Sequence, residues 1–188
     1  EIIKRNREKG KEREMKKELD KELYPDYVYP EFTPDPGKPF REPIAKLGKK
    51  ITDRIPQKLG LKKITRNDPE YWGLAGVLTD EEALLALKLG VRKPKTLSEI
   101  VKISGLEEKK CEALLEEMSR KGLLEYNWEN AAHEKQYVLP MYVPGCAEFF
   151  NMNAKILESN PEMGTFFEHM SRLPLEKITP FVPEGGAG

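Results

Sequence analysis

The amino-acid sequence predicts a mainly α-helical protein with a small β-hairpin. Three consecutive segments place apolar residues three and four positions apart, which is typical of helices with one buried face. Two of these segments open on a threonine that is followed three residues later by a glutamate, a mark of helix N-termini. Two short apolar runs around a polar loop then predict the hairpin. This order predicts a winged helix-turn-helix with an extended N-terminal arm and C-terminal helices.

The first helix of this unit is predicted between Thr79 and Gly90. Thr79 and Glu82 form a capping box, in which each side chain bonds the backbone N–H of the other residue. The residues expected on the buried face of this helix are Ala83, Leu84 and Leu87.

Two further helices are predicted on either side of Gly105. Thr96 and Glu99 form a second capping box for the first of them, and Gly105 ends it. The next helix runs from about Glu107 to Lys121, with Gly122 as its C-cap. Its predicted buried stripe consists of Cys111, Leu114, Leu115 and Met118.

The hairpin is predicted from Leu123 to Leu139. One strand covers Leu123 to Tyr126 and the other covers Gln136 to Leu139, with the polar loop Asn127 to Lys135 as the wing. Further helices are expected near Cys146 and after Asn160, which is followed by a proline at the first helical position.

We divide the chain into three parts. Residues 1–67 hold a charged N-terminal helix, an arm rich in proline and aromatic residues, and a basic stretch; residues 68–145 hold the winged-helix domain; residues 146–188 hold a helical extension and a tail that ends in glycines. The first 23 residues carry nine basic and seven acidic side chains, which favours a solvated helix, with a coiled-coil seam as the alternative. The sequence begins with Glu1, not Met, so we expect a piece of a longer chain.

The arm contains six prolines between Tyr24 and Pro43, which exclude helix over most of its length. Aromatic side chains lie between the prolines, and we expect them to pack on the globular part or on a neighbouring chain. An SH3-type ligand is the alternative. The candidate arm contacts are Tyr24, Tyr27, Tyr29 and Phe32.

A basic stretch follows the arm. Between Lys38 and Arg66 the sequence has ten basic and two acidic residues, although Lys plus Arg and Asp plus Glu each total 32 over the whole chain. The segment 44–55 predicts a short helix with an apolar face of Ile44, Leu47, Ile51 and Ile55. The candidate contacts for a partner or a nucleic acid are Lys46, Lys49, Lys50, Arg54, Lys62, Lys63 and Arg66. The alternative for this charge run is the solvated face of a helix.

The predicted recognition helix is poorly suited to DNA. A recognition helix presents Arg, Lys, Asn or Gln near its N-terminus. The helix from Glu107 starts with two glutamates, and its outward side carries Lys109, Glu112, Glu116 and Arg120. Carboxylates at these positions repel phosphates, so contact with a protein is favoured over contact with DNA.

No pattern of catalytic or metal-binding residues is visible. His133 and His169 are far apart, and the chain has no C-x-x-C. Cys111 lies on the buried stripe, and Cys146 follows Gly145 at a predicted helix start, where a thiolate would be stabilised. Without a paired base we interpret both cysteines as structural, and their small number favours a reducing cytoplasm.

Three stretches resemble a known family. They are EYWGLAGVLTDEEALLALKLGVRKPKTLSEI, GLLEYNWENAAHEKQYVLPMYVPGCAEF and FFEHMSRLPLEKITPFVPEGGAG. They resemble the N-terminal region of anaerobic-bacterial 4Fe–4S ferredoxin-type oxidoreductases, over about Tyr24 to Gly188, with YVLPMYVPG and RLPLEK as the most specific parts. The resemblance implies a winged-helix-like segment ahead of a cysteine-rich part, often with a flavin- and pyridine-nucleotide-binding part.

The family's cluster cysteines lie beyond Gly188, so none maps onto Cys111 or Cys146. We therefore expect no cofactor in this segment, whereas 4Fe–4S clusters and flavin are implied for a longer parent protein or a partner. The first hypothesis is a non-catalytic module that docks against an electron-transfer domain or subunit, in the cytoplasm and without a membrane. A homo-oligomer is compatible with it. The second hypothesis is a transcriptional regulator that binds DNA through the winged helix and residues 38–66.

Overall fold

The computed structural model describes residues 37–164, all of which belong to one compact unit. This part is mainly helical with a three-stranded antiparallel sheet, which confirms the predicted mixture of helices and a small hairpin. The helices are α1 (Glu42–Ile51), α2 (Ile55–Lys58), α3 (Pro69–Val77), α4 (Asp80–Ala86), α5 (Leu97–Ser104), α6 (Glu108–Lys121), α7 (Cys146–Met152) and α8 (Ala154–Ser159). The strands are β1 (Lys95–Thr96), β2 (Glu125–Asn127) and β3 (Gln136–Val138).

Helix α1 packs its apolar face on α3 and α4. Ile44, Leu47 and Ile51 are fully buried, as predicted. The helix ends at Ile51 and not at Ile55, because the backbone at Thr52 is extended. Ile55 starts the separate helix α2 and is 66% exposed, so its predicted place on the buried face is wrong.

Helix α4 begins at the predicted capping box, with Glu82 N donating to Thr79 Oγ1 and Thr79 N donating to Glu82 Oε2. The helix ends at Ala86, earlier than predicted, and only Ala83 of its predicted face is fully buried. Leu84 is 53% exposed and Leu87 is partly buried. The core is filled instead by Leu85, Ala86 and Leu89.

Helices α5 and α6 follow the sequence prediction closely. The capping box of Thr96 and Glu99 is present, and Gly105 ends α5 with a φ of 73° in the left-handed region. Gly122 ends α6 in the same way, with a φ of 92°. Of the predicted stripe on α6, Leu114 is only partly buried, whereas Cys111, Leu115 and Met118 are fully buried.

The sheet has the strand order β1-β3-β2. Tyr126 of β2 pairs with Tyr137 of β3, which confirms the predicted hairpin within two residues at each strand end. Strand β1 was not predicted, because two residues are too short to show an alternating pattern. It joins β3 through Lys95, which pairs with Tyr137.

The stretch YVLPMYVPG, residues 137–145, connects β3 to α7 and is largely buried scaffold. Tyr142 is 1% exposed and ties this stretch to α1 and α3. Its backbone N donates to Ile51 O at 2.8 Å, and its hydroxyl donates to Pro69 O at 2.8 Å. The Val143–Pro144 peptide bond is cis.

Helix α7 starts at Cys146, as predicted, whereas α8, which is capped by Asn153, was not predicted. The helix expected after Asn160 is described only as far as Gly164, with residues 162–164 helical.

Both ends of the described part reach the same helix. The ring of Phe40 stacks on Tyr71 of α3, with ring centroids 4.6 Å apart. Met163 is fully buried, and its Sδ lies 3.1 Å from where a Cβ on Gly73 of α3 would be. A side chain at Gly73 would also overlap Tyr142, so the glycine allows this close packing.

Candidate functional site

The predicted contact residues of the basic stretch do not form one surface. Three of the seven are engaged by the fold. Lys50 Nζ donates to Leu87 O at 2.8 Å, Arg54 is ion-paired, and the guanidinium of Arg66 lies over the Phe40 ring at 5.6 Å. The exposed members are Lys46, Lys49, Lys62 and Lys63.

Arg54 belongs to an internal polar network. Its Nε donates to Glu70 Oε1 at 2.7 Å, and its guanidinium also bonds Asp68 at 2.8 Å. Glu70 is 1% exposed and also accepts a bond from the hydroxyl of the fully buried Thr52. Burial alone would raise the pKa of Asp68, but hydrogen bonds from Thr65 and Arg54 outweigh it and hold that pKa below its usual value. Arg54 therefore fastens the start of α2 to α3 and is not available for a partner's phosphate or carboxylate.

The segment after Arg54 has an inverted burial pattern. Ile55, Leu59 and Leu61 are 66%, 69% and 77% exposed, whereas the polar Gln57 between them is 6% exposed. Backbone hydrogen bonds close the segment into a compact turn, since Leu59 N donates to Ile55 O at 2.9 Å and Lys62 N donates to Pro56 O at 3.0 Å.

Lysines lie next to these aliphatic side chains in the sequence of the turn, and a further lysine reaches the turn from α1. Lys58, Lys62 and Lys63 are exposed within the turn, and Lys49 of α1 brings its Nζ to within 3.2 Å of the Cβ position of Gly60. We define the α2 patch as Lys49, Ile55, Lys58, Leu59, Leu61, Lys62 and Lys63. Within residues 37–164, no carboxylate lies within ion-pair distance of any of its four lysines.

The surface of α6 and the hairpin differs in its charge. Lys121 Nζ lies 2.6 Å from Glu82 Oε1, Lys110 Nζ lies 2.5 Å from Glu81 Oε1, and Arg120 pairs with Glu117 on its own helix. The hairpin contributes Lys135, whose Nζ lies 2.6 Å from Glu116 Oε1. These four basic side chains are thus paired inside the chain, whereas Lys109 on α6 has no carboxylate of residues 37–164 within ion-pair distance.

Glu116 links helix α6 to the hairpin. It accepts hydrogen bonds from Lys135 and from the hydroxyl of Tyr137, and these bonds hold the pKa of its carboxyl below the ordinary value of 4.5. Burial and the same carboxylate raise the pKa of Tyr137. Glu116 was predicted to lie on an outward recognition face, but its role here is to fasten the sheet to the helix.

The hairpin exposes two aromatic side chains, one on strand β2 and one in the loop that follows it. Tyr126 is 56% exposed beneath Lys135, whose Nζ lies 4.4 Å from the ring centroid, and Trp128 is 47% exposed. Asn130 closes the loop through bonds with the backbone of Ala132 and Glu134. The loop is therefore shaped by its own side chains and carries one basic residue, so it does not offer a basic tip to DNA.

Both cysteines are structural in this fold. Cys111 and Cys146 are fully buried, and burial raises the pKa of each thiol. The predicted stabilisation of a Cys146 thiolate by the helix start is wrong, because this side chain lies in the core. In residues 37–164, no cluster of three or more His, Cys, Asp or Glu side chains could hold a metal ion.

A shallow cleft of about 460 Å³ lies between the end of α6, strand β2 and helix α7. Its lining includes Ser119, Tyr126, Phe149 and Asn153. The Ser119 hydroxyl is buried without a hydrogen-bond partner, and Asn153 Nδ2 donates to Arg120 O. Among the described lining residues there is no base beside this hydroxyl, so the cleft lacks the pairing that activates a serine.

The arm contacts predicted at Tyr24, Tyr27, Tyr29 and Phe32 lie outside the described residues, as does His169. Within the described range, none of the helices has the length and apolar character needed to cross a membrane. Comparisons of the chain with protein-family models, with curated proteins and with solved structures found no match.

Proposed function

We propose that this chain is a non-catalytic winged-helix module that docks against a protein partner. The partner class that we propose is the electron-transfer domain or subunit of an iron–sulfur or flavin oxidoreductase. The order α4, β1, α5, α6, β2, β3 supports the winged-helix assignment, because a short strand ahead of α5 pairs with the hairpin that follows α6.

The ion pairing of Lys110, Lys121 and Lys135 on α6 and the hairpin carries the docking proposal. A helix that reads DNA needs cations free to meet phosphates and donors free to meet base edges. Here Lys110, Lys121 and Lys135 are engaged by carboxylates of the same chain, while Glu112 remains exposed on the outward side. Phosphates approaching this face would meet carboxylates and would have to break existing ion pairs.

The oxidoreductase context rests on the sequence resemblance. The stretch YVLPMYVPG is one of the two most specific parts of that resemblance, and its tyrosines are buried and hydrogen-bonded within the fold. Because these tyrosines serve packing, the stretch supports a shared module and not a shared active site.

The alternative proposal, a DNA-binding regulator, is supported by the exposed side chains of Lys46, Lys49, Lys62 and Lys63. Lysines on a surface give weak contact with phosphates that depends on salt and ignores sequence. They do not provide base readout.

Selection from a random duplex library at physiological salt separates the two proposals. For a docking module we expect no enriched motif, and we expect any residual binding to disappear when Lys49, Lys62 and Lys63 are changed to Glu. The variant Glu112→Lys is the matched test of the α6 face, and it should strengthen non-specific binding because it removes repulsion. A reproducible enriched motif that is lost on changing Lys109 or Glu112 would overturn the docking proposal.

A further inference from the structure

We infer that the α2 patch is the docking surface of this module, and that its partner is a protein surface with an apolar centre flanked by Asp and Glu side chains. The inference rests on the proposed docking function and adds to it the place of contact and the chemistry of the partner.

The first argument is the inverted burial of the turn. A single exposed leucine is ordinary, but three large aliphatic side chains exposed within seven residues form an apolar surface that water solvates poorly. The same turn buries the polar side chain of Gln57 while it leaves these three aliphatic side chains exposed. Covering Ile55, Leu59 and Leu61 with a partner would remove their apolar area from water.

The second argument is that buried residues and hydrogen bonds hold the turn in place at both ends. At its start, Arg54 is bonded to Glu70 and Asp68, and Thr52 is fully buried. At its end, Ile64 is 7% exposed and Thr65 N donates to Asp68 at 2.6 Å. The exposure of the aliphatic side chains is therefore fixed by the fold, and a surface fixed in advance loses little conformational entropy when it binds.

The third argument is charge complementarity. The patch includes four lysines beside its aliphatic side chains, with no carboxylate of the described residues paired to them, whereas Lys110, Lys121 and Lys135 of α6 and the hairpin are paired internally and Lys109 is the one lysine there without such a partner in residues 37–164. A rim of like charge attracts a surface of the opposite sign and repels basic partners. The partner is therefore acidic around its apolar contact.

The composition of the patch favours protein over nucleic acid and lipid. Single-stranded nucleic acid binds on aromatic side chains and arginines, and the patch contains neither. Helices that lie on membranes are usually many turns long, whereas α2 has four residues.

A charge-swap binding experiment on the full chain tests the inference. The probe is a synthetic helical peptide with leucines on one face and glutamates on both flanks, and its matched control carries lysines in place of the glutamates. Fluorescence anisotropy at physiological salt measures both. We expect the wild type to bind the acidic peptide at least about tenfold more tightly than the basic one.

Two patch variants separate the apolar contribution from the charged one. Leu59→Ser with Leu61→Ser, and Lys58→Glu with Lys62→Glu and Lys63→Glu, should each weaken binding of the acidic peptide by about tenfold or more. The charge-reversed variant should instead prefer the basic peptide. The matched control, Leu84→Ser with Lys88→Glu, changes an exposed leucine and an exposed lysine on or just after α4 and should bind like the wild type.

The inference is overturned if the wild type does not bind the acidic peptide, or if the patch variants bind it as tightly as the control variant does. It is also overturned if duplex DNA or phosphatidylserine vesicles, at physiological salt and at the same concentration as the peptide, displace the peptide from the patch, or if sedimentation shows a dimer that the patch variants abolish. These outcomes differ from failure of the docking function itself, which an enriched duplex motif dependent on Lys109 or Glu112 would reveal.

Discussion

The α6 surface and the α2 patch are both rich in lysine, yet the two surfaces use their charges differently. On α6 and the hairpin, three of the four lysines are matched by glutamates of the same chain, as in Lys121 with Glu82 and Lys135 with Glu116, and Lys109 is the exception within residues 37–164. On the α2 patch, four lysines lie beside exposed aliphatic side chains and have no such partner among the described residues.

The comparison shows that a count of charges along the sequence does not identify a binding surface. Glu82 and Lys121 are 39 positions apart, so their pairing arises only in the fold. Cations that already have partners stabilise and position structural elements, whereas cations without partners remain available to an external surface.

The largest expected effect on stability is the difference between replacing a leucine of α6 and replacing a leucine of the α2 patch. Leu115 on the inner side of α6 is fully buried, and Leu115→Ala should lower the free energy of unfolding by ~2–5 kcal/mol because it leaves a cavity. Leu59→Ala in the patch should change it by less than about 0.5 kcal/mol. Urea denaturation of both variants checks the contrast. Equal losses would mean that Leu59 contributes to the core. The partly buried Leu114, which the sequence placed on the same stripe, should fall between the two.

A smaller effect on stability is expected in the hydrogen-bond network that holds the α2 patch in place. Glu70→Gln keeps the size of the side chain but removes the charge that Arg54 and Thr52 bond, and it should cost about 1–3 kcal/mol. Hydrogen exchange should show faster opening of residues 54–62 than in the wild type. The control is Glu112→Gln, an exposed glutamate on α6. Unchanged exchange in 54–62 would contradict the view that this network fixes the turn.

The link between α6 and the hairpin should depend on pH. The bond from Lys135, and then the bond from Tyr137, lower the pKa of Glu116 in the folded protein, so the ionised carboxylate is favoured by folding. Its contribution is fully present above the unfolded value near 4.5 and is lost as the pH falls through the lower folded pKa. The stability difference between wild type and Glu116→Gln should therefore shrink from neutral to acidic pH. A stability difference that grows on acidification would contradict the predicted direction of the pH dependence.

The smallest effect is expected for the exposed pair Glu81–Lys110, in which both side chains are 52% exposed. A double-mutant cycle with alanine should give a coupling energy below about 0.5 kcal/mol that falls further with added salt. A coupling that is large and insensitive to salt would mean that pairing on this surface stabilises the fold more than exposure indicates.

Local signals in the sequence were reliable. The capping boxes at Thr79 and Thr96 and the C-caps at Gly105 and Gly122 are where the sequence places them, because each depends on residues within a few positions of one another. The burial of Ile44, Leu47 and Ile51 follows from their spacing on one helix.

Features that depend on distant contacts were not predictable. Arg54 looks like a member of a charge run, and only the burial of Glu70, 16 residues later, shows that it is internal. Leu84 fits a helical stripe, but the core meets α4 through Ala83, Leu85 and Ala86. The α2 patch could not be found from spacing either. By spacing, Ile55 belongs to the same apolar helix face as Ile51, and only the end of the helix at Thr52 separates the two residues.

The arrangement at α3 has a mechanical consequence. Phe40 rests on Tyr71 and Met163 packs beside Gly73, so the two ends of residues 40–163 are held two positions apart on one helix. Tension applied through the flanking chain would therefore be borne around α3, with Arg41 anchored nearby to Ala75 O and Leu78 O. Little of this load would cross α6 or the hairpin.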